Sequence, residues 1–196
     1  VCELGAALRT LGDAGVQGTE LVAADTAILF SAESEWATRS ETLPSKKLNH
    51  WHDVRDWYRA FLDAGTRADI VPLKYDWSGY TTVVLPTVLM LSADDTARLE
   101  RFVRAGGTVV VGYATGLIDE NFHTWLGGYP GAGDGMLRGM LGIRGEEFNI
   151  LGAEAAGEPS EISLSNGMVT RLWQNDIDVD GADVEVLATY AGEQAD

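Results

Sequence analysis

From Tyr80 to Val111 the chain spells out a strand, a capped helix and a second strand, and that order leaves few folds open. Tyr80 to Pro86 is a run of β-branched and aliphatic residues that the proline ends. Ser92 opens a helix, with Asp95 three residues on at capping-box spacing and Asp94 beside it at the positive helix end. Leu99, Phe102 and Val103 supply its buried face, and Gly106-Gly107 ends it. Thr108 to Val111 follows with the continuous hydrophobicity of a central strand. Two strands joined through a helix run parallel and cross over in the right-handed sense.

The flanking segments extend the same pattern. Ala27 to Phe30 reads as a strand, and Ala68 to Leu73 as another. Between them His50 to Ala64 is the clearest helix. Trp51, Val54, Trp57, Tyr58, Phe61 and Leu62 form one wide apolar stripe, Asn49 caps the start and Gly65 the end. Ser31 to Lys47 is polar, contains Pro44 and reads as a loop. Met136 to Leu141 is a short helix ahead of Gly142, and Phe148 to Leu151 a strand. The expected fold is therefore α/β, a three-layer sandwich on a mainly parallel sheet, flavodoxin-like in detail.

Both ends differ from this middle. Residues 1–25 read as a helix, Leu4, Leu8 and Leu11 on one face, broken by Gly12, Gly15 and Gly18, as a linker from an upstream domain would be. The start has neither a methionine nor a signal pattern, so the chain is expected to read as the middle of a longer protein. After Gly152 the chain turns acidic, Arg171 being its one base. Met168 to Trp173 and Val184 to Tyr190 alternate as strands do, and Asn166-Gly167 and Asp180-Gly181 signal turns. This part reads as a small β elaboration, within one domain running from 26 to 196.

Charge removes two classes of partner. Fourteen Lys plus Arg face 30 Asp plus Glu, for a net charge of −16, whereas nucleic acid and anionic membrane surfaces call for clustered positive charge. No apolar run reaches the length of a membrane-spanning helix. The single cysteine, Cys2, allows no internal disulfide and fits a reducing, cytoplasmic setting.

Chemistry has few places to sit. In such a sheet an active centre lies beyond the carboxyl end of a strand, here the stretch from Thr108 to Gly131. Its turn, Gly112-Tyr113-Ala114-Thr115-Gly116, carries no Cys or Ser nucleophile. Thr115 is a candidate in name only, because a threonine nucleophile needs a free amino terminus or a strong base. Asp119 and Glu120 are adjacent, and their side chains diverge rather than bracket a glycosidic bond. His50 and His52 stand two apart and face different sides, and His123 is the third histidine, so no metal and no cofactor is expected. Asp176, Asp178 and Asp180 resemble part of a calcium loop, but Leu187 stands where the bidentate glutamate belongs, so the alternation is read as a strand with one acidic face. Gly127-Gly128, Gly131, Gly133 and Gly135 lack the Lys-Ser/Thr of a phosphate loop. Trp36, Trp77, Trp125 and Trp173 are unexplained by periodicity, and exposed Trp marks a protein interface or a sugar platform. The loop residues Asp119, Glu120, Asn121, His123, Trp125 and Tyr129 are thus read as making contacts.

Several pieces together carry a resemblance. They are Phe102-Val103 ahead of Ala105-Gly106-Gly107-Thr108, then Asp119-Glu120-Asn121, Leu126-Gly127-Gly128-Tyr129-Pro130-Gly131, and Leu141-Gly142-Ile143 before Glu146-Glu147-Phe148. Ala27 to Phe30, Tyr58 to Phe61, Tyr80 and Ala182 to Tyr190 add to them. The chain resembles the middle, trimerisation domain of family 42 glycoside hydrolases, the β-galactosidases. The resemblance implies a fold akin to class I glutamine amidotransferases without their nucleophile. It implies no catalytic residue in this chain, the two catalytic glutamates lying on an upstream barrel. Its implied partners are that barrel and the neighbouring subunits of a homotrimer. A stand-alone amidotransferase-like enzyme and a carbohydrate-binding module are the other readings.

Overall fold

The computed structural model describes residues 2–16, 18–20, 22–41, 43, 45–131, 136–152 and 161–191. Among them, strands β1 (Thr26–Phe30), β2 (Ala68–Pro72), β3 (Thr82–Leu85) and β4 (Thr108–Val111) form one parallel sheet in the order β2-β1-β3-β4. Alternation along the strands divides the core in two. Ala27, Leu29, Val83 and Leu85 face α4 (Ala93–Arg104), meeting Leu99 and Phe102. Ile28, Ala68 and Val84 face α3 (His50–Asp63), meeting Val54, Trp57 and Phe61. A helix layer on each face gives the expected three-layer sandwich with the flavodoxin-like strand order.

Local chemistry sets the helix ends where the sequence places them. Ser92 and Asp95 make the reciprocal capping box of α4, and Asn49 Oδ1 accepts the His52 amide at the start of α3. Gly65 and Gly106, both at positive φ, follow the two helices.

Five expectations are corrected. Ser31 to Lys47 is not all loop: Ala32–Thr38 is a helix, α2, capped by the Ser31 hydroxyl and tied by a Glu35–Arg39 pair one turn apart. Seven residues are too few for a periodic signal; Pro44 falls outside the described residues. β4 is an edge strand, not a central one. Val184 to Tyr190 forms no strand beyond a single bridge from Tyr190 to Leu164. Trp77 and Trp173 are buried, so neither marks a surface. On α3, Trp51, Tyr58 and Leu62 are exposed, so its wide stripe is only half covered.

The C-terminal part adds a ribbon. β5 (Ile143–Ile150) pairs antiparallel with β8 (Trp173–Val179), and Asp176 and Asp178 lie on this strand rather than in a metal loop. β6 (Ile162–Ser163) and β7 (Val169–Thr170) form a small hairpin around Asn166-Gly167. α5 (Met136–Leu141) lies ahead of the ribbon and adds Leu137 to the α4 side of the core. A second apolar cluster ties ribbon to sheet: Trp173 and Tyr129 pack with Leu89, Ala114, Leu117 and Ile118. α1 (Cys2–Asp13) buries none of its residues.

Candidate contact loop and strand-end crevice

The strand order reverses between β1 and β3, and the crevice at their carboxyl ends is where doubly wound sheets bind ligands. Here a side chain of the domain bridges the two strand ends. His50, fully buried and stacked on Phe30, sits across it. Its Nε2 accepts the Ser31 amide at 2.9 Å, and its Nδ1 lies 2.8 Å from the Pro86 carbonyl oxygen. A carbonyl only accepts, so Nδ1 carries the proton and the ring is neutral. Burial lowers its pKa below the usual 6.5, and the Pro86 bond only partly opposes that shift.

Beside it Asp53, one helical turn along α3, accepts hydrogen bonds from the Thr87 hydroxyl and, at 2.7 Å, from the Tyr113 hydroxyl. Burial pushes the Tyr113 phenol well up, and the Asp53 carboxylate reinforces the shift. Thr87 holds φ +47 just past β3 and is fully buried. Thr115, the nominal nucleophile, donates to the Leu85 carbonyl and accepts the Val88 amide, both at 3.1 Å. The strained position of the turn after β4 is Ala114, at φ +54, whose methyl group offers no nucleophile. His50, Asp53, Thr87 and Tyr113 are scattered through the sequence, and only the topology gathers them.

The loop beyond β4 is built differently. Ile118 bridges Met90 on one side and Thr124 on the other. Asp119 then closes the loop on itself, its Oδ1 accepting the Asn121 and His123 amides at 2.8 Å each. The His123 amide is the larger cause that holds the Asp119 carboxyl below its usual range, and the Asn121 amide adds to it. The His123 ring lies 3.5 Å from Asp119 Oδ2 and is otherwise exposed, as are Glu120 and Asn121. Trp125 is half-buried over Gly131, where a Cβ would strike the indole, so only glycine fits there. Its indole N–H has no acceptor among the described residues.

Tyr129 does not face outward. It is buried, its hydroxyl donating toward Asn175 Oδ1 at 2.6 Å with Glu147 O at 3.1 Å, and burial raises its pKa to about 12. Its amide and carbonyl pair with Gly145, where a Cβ would come within 2.7 Å of the ring. Tyr129 thus fastens the ribbon to the loop. The loop has two apolar tips: Phe122 at φ +64, half exposed, and Leu126, 95% exposed beside the Gly127-Gly128 pair. Gly133 and Gly135 lie outside the described residues.

Comparison with known proteins sets this geometry in a family. The family model described as the β-galactosidase trimerisation domain matches residues 24–196. The chain belongs to that family. β-Galactosidase BbgII of Bifidobacterium bifidum is 42% identical over 194 residues, 99% of this chain and 28% of that protein. A crystal structure of a β-galactosidase from Bifidobacterium adolescentis is 74% identical, with a TM-score of 0.64 over 88% of this chain and 80% of that one. The β-galactosidase from Bacillus circulans sp. alkalophilus is 32% identical, with a TM-score of 0.79 over 97% of this chain and 28% of that one. This chain thus spans little more than a quarter of the length of BbgII. α1 lies ahead of the family match yet within the aligned stretch of that relative.

Proposed function

We propose that this domain is the assembly part of a family 42 β-galactosidase and makes contacts rather than bonds. The observation that carries this reading is that the polar side chains at the strand ends are engaged in structure: His50 bridges Ser31 and Pro86, and Asp53 holds the Thr87 and Tyr113 hydroxyls. The parent enzyme hydrolyses terminal β-D-galactosides with retention, through two glutamates on an upstream barrel. α1, with its uncovered leucine face, leads from that barrel. The partners are the barrel and the neighbouring subunits of a homotrimer, in the cytoplasm, where the exposed Cys2 stays reduced. No described helix is long and apolar enough to cross a membrane.

Within this reading the loop from Asp119 to Leu126 packs against the barrel or a neighbouring subunit. Its rigid Asp119 turn presents Asn121, Phe122, His123 and Leu126 outward. Hydrolysis of a chromogenic galactoside by this chain, beside the full-length parent, tests the proposal. Turnover by the parent alone is expected; turnover by this chain overturns it. In the parent, His123→Ala or Asn121→Ala is expected to weaken assembly or shift KM, and unchanged mass and kinetics in both would remove the loop from the interface.

A further inference from the structure

α2 is held by polar bonds more than by apolar burial. A helix of seven residues does not stand alone in water, so its neighbours must fix it. Its buried side chains are Ser34, Glu35, Ala37 and Thr38, and of these only Ala37 joins an apolar cluster. Trp36, its one large apolar residue, is 69% exposed.

Three links fasten α2 instead. The Ser31 amide, at its cap, donates to His50 Nε2 at 2.9 Å. Glu35 Oε2 accepts the Trp51 amide at 3.0 Å. Ser34 Oγ accepts the Met90 amide at 3.1 Å. The first and third are joined, because the Ser31 hydroxyl accepts the Ser34 amide at 3.0 Å. Met90 in turn bridges Ile118, and Ile118 bridges Thr124 inside the loop beyond β4. A continuous path of bonds and bridges thus runs from the His50 ring to the base of the contact loop.

At the His50 end a proton changes the bonding. The neutral ring offers one acceptor and one donor, and both are in use, Nε2 by Ser31 and Nδ1 by Pro86. A protonated ring has two donors and no acceptor. Its Nε2–H would point at the Ser31 N–H, donor against donor, where His50 is fully buried and Ser31 nearly so. Two acids face the ring, Glu35 from α2 and Asp53 from α3. Their attraction favours a charged ring, but burial outweighs it. Both are engaged elsewhere, Glu35 by Arg39 and the Trp51 amide, Asp53 by the Thr87 and Tyr113 hydroxyls. From β1 the ring meets Phe30, and from the end of β3 the Pro86 carbonyl, neither of them charged.

We infer that His50 is a proton-operated latch. Neutral, it holds α2 on the strand ends and, through Ser34 and Met90, the base of the loop. Taking up a proton, it lets go of the Ser31 amide, and α2 and the loop loosen together while the sheet and α4 stay folded. The latch works inside one chain, whatever the loop meets. The loosened ring titrates at the ordinary 6.5, so at pH 5.5 the loosened form gains about tenfold over its share at neutral pH.

Hydrogen exchange of this chain, read by mass spectrometry at pH 7.5 and 5.5 and corrected for the intrinsic effect of pH, is the test. In wild type, protection of α2 and of residues 117–125 is expected to fall about tenfold at the lower pH, relative to α4. In His50→Gln the carboxamide can accept from Ser31 and donate to Pro86 but takes up no proton, so the fall is expected to vanish. In Ser34→Ala the fall is expected to remain in α2 and vanish from the loop. Equal protection at both pH values in wild type overturns the latch. So does a fall that survives in His50→Gln, which would belong to His123 in the loop, 3.5 Å from Asp119. A loop that still responds in Ser34→Ala overturns the path through Met90. If His50→Gln does not fold, NMR of the wild type decides. The Ser31 and Met90 amides must then shift with the midpoint of the His50 ring, and a different midpoint overturns the latch.

Discussion

α3 and α4 cover opposite faces of one sheet, but only α4 is finished. α4 has a complete capping box, a single buried line through Asp95, Thr96, Leu99 and Phe102, and no large apolar side chain exposed. α3 is capped as well and buries Val54, yet leaves Trp51, Tyr58 and Leu62 in solvent. A helix that is apolar on two sides is built for two neighbours. The comparison teaches that apolar content says a helix will be covered, and its angular spread says by how many partners.

The largest expected effect lies on α4. Leu99→Ala leaves a cavity among Leu29, Leu85 and Phe102 and is expected to cost about 3 kcal/mol in urea unfolding of this chain. The same deletion on α3, Leu62→Ala, removes a side chain that this chain leaves mostly exposed. A cost there as large as at Leu99 would break the comparison.

Polar changes come next. Asp53→Ala removes the acceptor of two hydroxyls, one of them fully buried, and is expected to cost about 2 kcal/mol, read from the same urea transitions. Ser92→Ala opens the capping box and is expected to cost about 1 kcal/mol, with a matching fall in the transition midpoint.

A titration of the crevice sharpens the α3 side. The folded state holds His50 neutral, with its pKa lowered from 6.5 by burial. The unfolded chain therefore binds the extra proton first as pH falls, and stability rises with pH across that window. His50 contributes fully above pH 6.5 and progressively less as pH drops below it. Unfolding midpoints at pH 7.5 and 5.5 are expected to differ more for wild type than for His50→Gln. An equal difference in both would show that His50 does not carry the effect. Smallest of all, Leu62→Ala is expected to leave stability of this chain within about 0.5 kcal/mol of wild type, the range of surface changes that touch nothing.

Much of the frame was legible in the sequence by itself. Strand runs, the Ser92-Asp95 box, Asn49, Gly65 and Gly106-Gly107 are local signals, written within a few residues of the structure they fix. The family motifs are equally local. What lies between distant residues was not legible. His50 reaches Ser31 and Pro86, and Asp53 reaches Thr87 and Tyr113, through the crossing of β1 and β3, so no window of sequence contains either cluster. Tyr129 reads as a loop residue until the ribbon folds over it and turns it into a fastener. On α3, periodicity names the apolar residues but not the face that the sheet takes. Burial depends on which neighbour arrives, and only the tertiary structure sets the sheet against Val54 and leaves Leu62 for another partner.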